Sequence, residues 1–154
     1  MIGDTLQDEM EVHPLTSEGF CELEAEFLRV SADLPEVSWT REQFLSERKN
    51  KFELSFWLGS RSCVVAYVVM SEVDAQRVHI HHLMVSMDNR GHGLGSNLIA
   101  IAVARARTFG AKILSLKVPV LFEASQRFYR RHGFVAIRVE GDYVYMEFRL
   151  ESET

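Results

Sequence analysis

The chain has 154 residues, 47% of them hydrophobic and 25% charged, with a formal net charge of −5. That is the length of one ordinary domain, and no apolar run or leader-like start marks a membrane span or export signal, so a single cytoplasmic domain over 1–154 is expected. The acidic balance disfavours nucleic acid as a partner and weakly favours a cationic one.

Met10 to Leu15 reads as a short strand stopped near Pro14. Ser17 offers an N-cap to a helix with Phe20, Leu23, Phe27 and Val30 on one face. The stretch Leu34-Pro35-Glu36-Val37-Ser38-Trp39 breaks it, and Thr40 caps a second, shorter helix through Lys49, anchored by Phe44 and Leu45. These helices carry Glu22, Glu24, Glu26, Asp33 and Glu36, which read either as a solvated face or as an acidic mouth for an amine. Cys21 and Cys63 have no metal or redox spacing and stand among apolar residues, so buried thiols and no metal are expected.

Phe52 to Leu58 and Ser62 to Val73 predict two strands around the hairpin signal Gly59-Ser60-Arg61. Asp74-Ala75-Gln76 turns the chain into a strand from Arg77 to Val85. After a glycine-rich turn, Asn97 to Arg107 is rich in helix formers, with Gly110 as its C-cap. Lys112 to Val118 predicts a further strand closed by Pro119, and Glu123 to His132 a helix ended by Gly133. Phe134 to Glu140 and Tyr143 to Leu150 pair as a last hairpin across Gly141-Asp142. The fold class is α/β, with a mixed, mostly antiparallel sheet of about seven strands flanked by helices.

The most informative stretch is Arg90-Gly91-His92-Gly93-Leu94-Gly95-Ser96, a turn between a strand and a helix. Backbone N–H groups at a helix N-terminus attract a negative group, and glycines let a ligand oxygen come close. Arg90 adds a positive charge, so the turn favours phosphate. The glycine spacing fits neither a dinucleotide fingerprint nor a Walker A loop.

The turn resembles the [Arg/Gln]-x-x-Gly-x-[Gly/Ala] loop of the GNAT superfamily of N-acetyltransferases. Leu83-Met84-Val85 matches the Leu-x-Val strand before that loop. Phe128-Tyr129-Arg130-Arg131-His132-Gly133-Phe134 matches the family's [Leu/Phe]-Tyr-x-x-x-Gly-Phe helix. The resemblance implies a GNAT-like fold and acetyl transfer from acetyl-CoA, as co-substrate and without metal, to a primary amine by direct attack. It implies that Arg90, Gly91, His92, Gly93, Leu94, Gly95 and Ser96 hold the coenzyme's diphosphate. Leu83, Met84 and Val85 would then lie along the thioester, and Tyr129 would be the general acid for the departing thiolate.

For the proton of the amine, a His-x-His-x-Leu-x-Val strand resembles that of the arylalkylamine N-acetyltransferases, which places the duty on His79 and His81. These lie two apart on one strand face, ~7 Å from each other, in line with Leu83 and Val85, while His82 points the other way with Ile80 and Met84. His82 or a water path are the alternatives, and a bulge would change the facing. The family often has Asn where this chain has Phe122, and Ser125 is the candidate to replace its bond to the pantetheine arm. Ribosomal-protein N-terminal acetyltransferases carry Glu where this chain has Lys117, which favours a small-molecule amine as acceptor. Acetylation of a protein N-terminus or lysine, or a non-catalytic acyl-CoA sensor, are the alternatives. Dimers are common in the family, and the C-terminal hairpin is a plausible contact.

Overall fold

The computed structural model describes residues 10–150. The expectation of no leader-like start falls on the first nine residues, outside that range. Seven strands form one sheet in the order β1-β2-β3-β4-β5-β7-β6. They are β1 (Glu11–Pro14), β2 (Phe56–Ser60), β3 (Cys63–Asp74), β4 (Arg77–Val85), β5 (Ile113–Pro119), β6 (Val135–Glu140) and β7 (Tyr143–Arg149). Every pairing is antiparallel except β4 with β5. A parallel pair needs a crossover, and the helix α5 (Leu94–Phe109) supplies it.

One face of the sheet packs on α5, which buries Leu98, Ile99, Ala102, Val103 and Ala106 against Val68, Met70, Ile80, Leu114 and Leu116. That spacing is a single stripe along a helix, and fully burying one such leucine is worth about 1.5–3 kcal/mol. The helix α6 (Glu123–Arg131) joins the same face through Phe128 and Tyr129. The other face, over β2 to β4, is covered by α1 (Ser17–Glu22), α2 (Glu24–Val30) and α3 (Arg41–Leu45). Phe20, Phe27, Val30 and Phe44 there bury Trp57, Tyr67, Val69 and Met84.

Several local expectations are corrected. The helix expected from Ser17 is two helices broken at Leu23, and Thr16 caps it by accepting from the Gly19 amide at 2.9 Å. Thr40 does cap the next helix, in a reciprocal box with Gln43, but α3 ends at Leu45 rather than Lys49. Lys51 is the reason: it is 1% exposed, and its ammonium donates to the carbonyls of Gln43, Phe44 and Ser46 at 3.1, 2.6 and 2.7 Å. Those carbonyls have no further turn to receive them, and a cation satisfies them. Asn50 then takes the left-handed conformation, φ 57°, and starts a short helix α4 (Lys51–Leu54) where a strand was expected from Phe52. Both cysteines are exposed. Cys21 follows the inward Phe20 on α1, and Cys63 opens β3 beside the hairpin turn.

Candidate active site

β4 and β5 pair from Arg77 and Ile113 to Ile80 and Leu116, then part. The parting coincides with a bulge. Val69 pairs with His82 and Met70 with Ile80, leaving His81 as the extra residue of β4. A bulge bends its strand and increases the local twist. β4 keeps β3 beside it as far as Val85, so from Leu83 to Val85 its other edge has no strand partner. A cavity of about 730 Å3 opens into this gap. Leu83, Met84 and Val85 form one wall, Leu116 to Pro119 of β5 the opposite one, and Ser125, Phe128 and Tyr129 of α6 a third. The segment from Leu34 to Trp39 lines its remaining side.

At one end of the gap stands the start of α5. Gly91 and Gly93 have φ of 81° and 84°, a conformation that side chains disfavour, which accounts for glycine at both positions. α1 and α3 are capped by threonines, but no side chain caps α5. The amides of its first turn are therefore left for an anion, helped by the dipole of a 16-residue helix. Gly95 is small for a different reason: a Cβ there would lie 3.0 Å from the Phe128 ring of α6. Ser96 continues the contact. His132 Nδ1–H donates to the Phe128 carbonyl at 2.8 Å, so Nε2 accepts from the Ser96 hydroxyl, also at 2.8 Å. The start of α5 and the end of α6 are thus locked together.

Arg90 is also engaged within the fold. Its guanidinium makes a two-pronged pair with Asp33, at 2.7 and 3.1 Å, and its Nε–H donates to the Val85 carbonyl at 2.8 Å. The charge that Arg90 brings to the turn is paired with Asp33, and the pair fastens the segment after α2 to the turn. Arg90 holds the Asp33 carboxyl below the usual carboxylate range. Glu24 pairs with Arg41 and Glu26 with Arg29, and of the five acids weighed as a mouth only Glu36 lines the cavity. The solvated-face reading fits.

The bulge also corrects the facing of the histidines. Ile80 packs on the α5 side with Met70, and Leu83 and Val85 lie on that side too. His82 lies on the opposite face with Val69, Tyr67 and Met84. His79 and His81 are also there, their rings 4.9 Å apart, so all three histidines share a face and none lines up with Leu83. His79 Nδ1 bonds the Ser115 hydroxyl and His81 Nε2 the Ser71 hydroxyl, each at 2.7 Å. Burial pushes both imidazoles down, His79 to about 4 and His81 to about 3, with neighbouring cations Lys117, Arg48 and Lys51 adding to it. Both are neutral at pH 7. Tyr129 stands edge-on to Phe128 and Phe134, and burial pushes its phenol up to about 12.

Of the residues singled out from the sequence, His81, Leu83, Met84, Val85, Arg90, Ser125 and Tyr129 line the cavity. His79 lies outside it, under the paired part of β4, and Gly91 to Ser96 lie beyond its rim. Sequence reading missed Asp33 as the partner of Arg90 and the buried serines 71 and 115. These have no local signal, because their partners are distant in the chain. Among the described residues no group of His, Cys, Asp and Glu could hold a metal ion, and no helix is long and apolar enough to cross a membrane.

An open mixed sheet whose two central parallel strands part beside an uncapped helix is the architecture of an acyl-CoA N-acyltransferase. Residues 18–134 match the acetyltransferase (GNAT) family. The chain belongs to that family and is an acyltransferase. Known structures agree on the fold. The ribosomal-protein-S18-alanine N-acetyltransferase of Escherichia coli superposes with a TM-score of 0.74 at 17% identity, over 94% of this chain and 96% of that one. The PaiA N-acetyltransferase of Thermoplasma acidophilum, solved with coenzyme A, gives 0.67 at 17% identity, over 91% and 98%. Nourseothricin acetyltransferase is 26% identical over 63% of this chain and 65% of its own, with a TM-score of 0.56. A search of curated proteins found no match.

Proposed function

We propose that this protein transfers the acetyl group of acetyl-CoA to the primary amine of a small molecule, by direct attack in a ternary complex. The observation that carries the reading is the unpaired edge of β4 at Leu83 to Val85, which runs between the uncapped start of α5 and the Tyr129 side of the cavity. A diphosphate suits the first end and a thioester the second. In the reaction an N–C bond forms and the C–S bond breaks; one proton of the attacking ammonium passes to solvent and a second ends on the departing sulfur, giving the thiol.

Backbone N–H groups on the open edge of β4 would polarise the thioester carbonyl as charge develops on its oxygen. An amine of ordinary pKa is only ~10⁻³ neutral at pH 7, so a proton must leave before attack. His81, on the cavity wall and held neutral at about 3, is too weak a base to take it; it accepts a hydrogen bond from a water that carries the proton away. Tyr129 meets the departing sulfur. A thiol ionises near ~8.5, well below a phenol pushed up to about 12. Tyr129 therefore keeps its proton and stabilises the thiolate by donating a hydrogen bond. A small acceptor is favoured because the Leu34–Trp39 segment is fastened across the cavity, and because Lys117, paired with Glu140 at 3.0 Å, leaves no carboxylate on that wall of β5.

The test is thiol release from acetyl-CoA with panels of small amines, N-terminal peptides and proteins. Release with a small amine, at a higher kcat/KM than with any peptide, is the expected result. Preference for a peptide moves the acceptor to protein. Binding of coenzyme A with no turnover on any panel makes the protein a sensor.

A further inference from the structure

His82 carries a role that the transfer chemistry leaves unused. It is 8% exposed, and its Nε2–H donates to the Val37 carbonyl at 2.7 Å. A carbonyl oxygen can only accept, so the proton is on Nε2 and Nδ1 is a bare lone pair. That Nδ1 is buried and has no hydrogen-bond partner. The ring lies flat on Trp39, centroids 4.7 Å apart at 7°, and edge-on to Phe44. Val37 and Trp39 belong to the segment that lines the remaining side of the cavity, and its earlier end is held by the Asp33–Arg90 pair.

We propose that His82 is a positioning residue: it clamps the Val37–Trp39 wall to the bulge of β4 and so sets the shape of the acceptor pocket. Its geometry opposes a part in proton transfer. A second proton would sit on Nδ1 with no acceptor, and burial pushes the imidazole down to about 4. The bulge makes the clamp possible, since without the extra residue His81 the ring of His82 would join Ile80 on the other face. The meaning of the wall as an acceptor pocket rests on the acetyl-transfer reading; the clamp does not.

Two variants separate the possibilities. His82→Gln carries an N–H to the place of Nε2, whereas His82→Asn ends short of the Val37 carbonyl. Trp39 and Trp57 are the only tryptophans, so 5-fluorotryptophan labelling gives one resonance for each. His82→Asn is expected to raise KM for the amine roughly tenfold, the loss that follows a broken buried hydrogen bond, with kcat and KM for acetyl-CoA unchanged. The Trp39 resonance moves with it, and His82→Gln restores both. A fall in kcat with a displaced pH profile in both variants would make His82 a proton acceptor and overturn the proposal. So would a lower Tm with KM and the Trp39 resonance unmoved, the mark of a purely structural residue. If His82→Asn does not fold, His82→Phe keeps the flat ring without the donor and takes its place. If the wild type acetylates no amine, the function reading fails on its own account. The Trp39 resonance then decides the clamp, upheld if it moves in His82→Asn and returns in His82→Gln, overturned if it stays.

Discussion

Tyr129 and His81 face the same cavity but stand in opposite proton states of readiness. The phenol is pushed up to about 12 and the imidazole down to about 3, both first by burial. Burial penalises whichever form is charged, so each residue is held in its neutral form. A neutral phenol donates a hydrogen bond, and a neutral imidazole accepts one. The two substitutions should therefore differ in kind. Tyr129→Phe removes a donor to the developing thiolate, and losing one such donor costs roughly 10²–10³-fold in kcat. The KM for either substrate should stay near its wild-type value, since the bond matters only as the C–S bond breaks. His81→Ala should cost less, because water can occupy the freed volume beside Ser71 and accept the proton. Steady-state kinetics on the thiol-release assay reads both, and equal kcat in Tyr129→Phe and wild type would remove Tyr129 from the mechanism.

At the scale of elements, the contact between α5 and α6 joins the two landmarks of the site. Gly95 lies under the Phe128 ring, and Ser96 bonds His132 one turn beyond Tyr129. A Gly95→Val substitution forces the helices apart, because the first atom added already meets the ring at 3.0 Å. Overpacking of this kind costs about 1–3 kcal/mol, but stability is the lesser consequence. The first-turn amides of α5 move relative to Tyr129, so coenzyme A should bind more weakly by calorimetry and kcat should fall together with affinity. Adding Phe128→Leu, which clears the space, should recover part of both. Unchanged affinity in Gly95→Val would mean that the start of α5 does not hold the coenzyme.

Both ends of this contact were readable in the sequence, as glycines after a strand and as Phe128-Tyr129 before Gly133. Each is a short run of neighbouring residues whose chemistry is carried by residue type. So were the Thr40 cap and the strands of the sheet, apart from the first half of the one expected from Phe52, which is α4. The bulge at His81 was not readable. One extra residue in a strand leaves the local pattern of residue types almost unchanged, yet it turns everything after it to the other face. The Asp33–Arg90 pair and the Lys51 ammonium under α3 were hidden for another reason: each joins groups that only the finished fold brings together.

Across the whole molecule, the bulge gathers three neutral imidazoles on one face, and this makes stability depend on pH in a definite direction. In the unfolded chain a histidine titrates near ~6.5. In the fold burial pushes His79 and His82 to about 4 and His81 to about 3. Between those values and ~6.5 the unfolded state binds protons that the folded state refuses, so acid favours unfolding. The stabilisation is complete above pH 6.5 and is lost progressively as the pH falls toward 4. The paired carboxylates Glu26, Asp33 and Glu140 are held low and act in the same direction, but only at more acid pH. The interval from pH 6.5 to 5 therefore belongs to the histidines. His82, the most buried of the three, should account for roughly 2 kcal/mol of the loss by pH 5. Urea denaturation at pH 7 and pH 5 measures it: the wild type should lose more stability over that interval than His82→Gln, which has no proton to take up. Equal losses in the two proteins would mean that His82 is free to protonate in the fold, and that its Nδ1 reaches a partner or solvent.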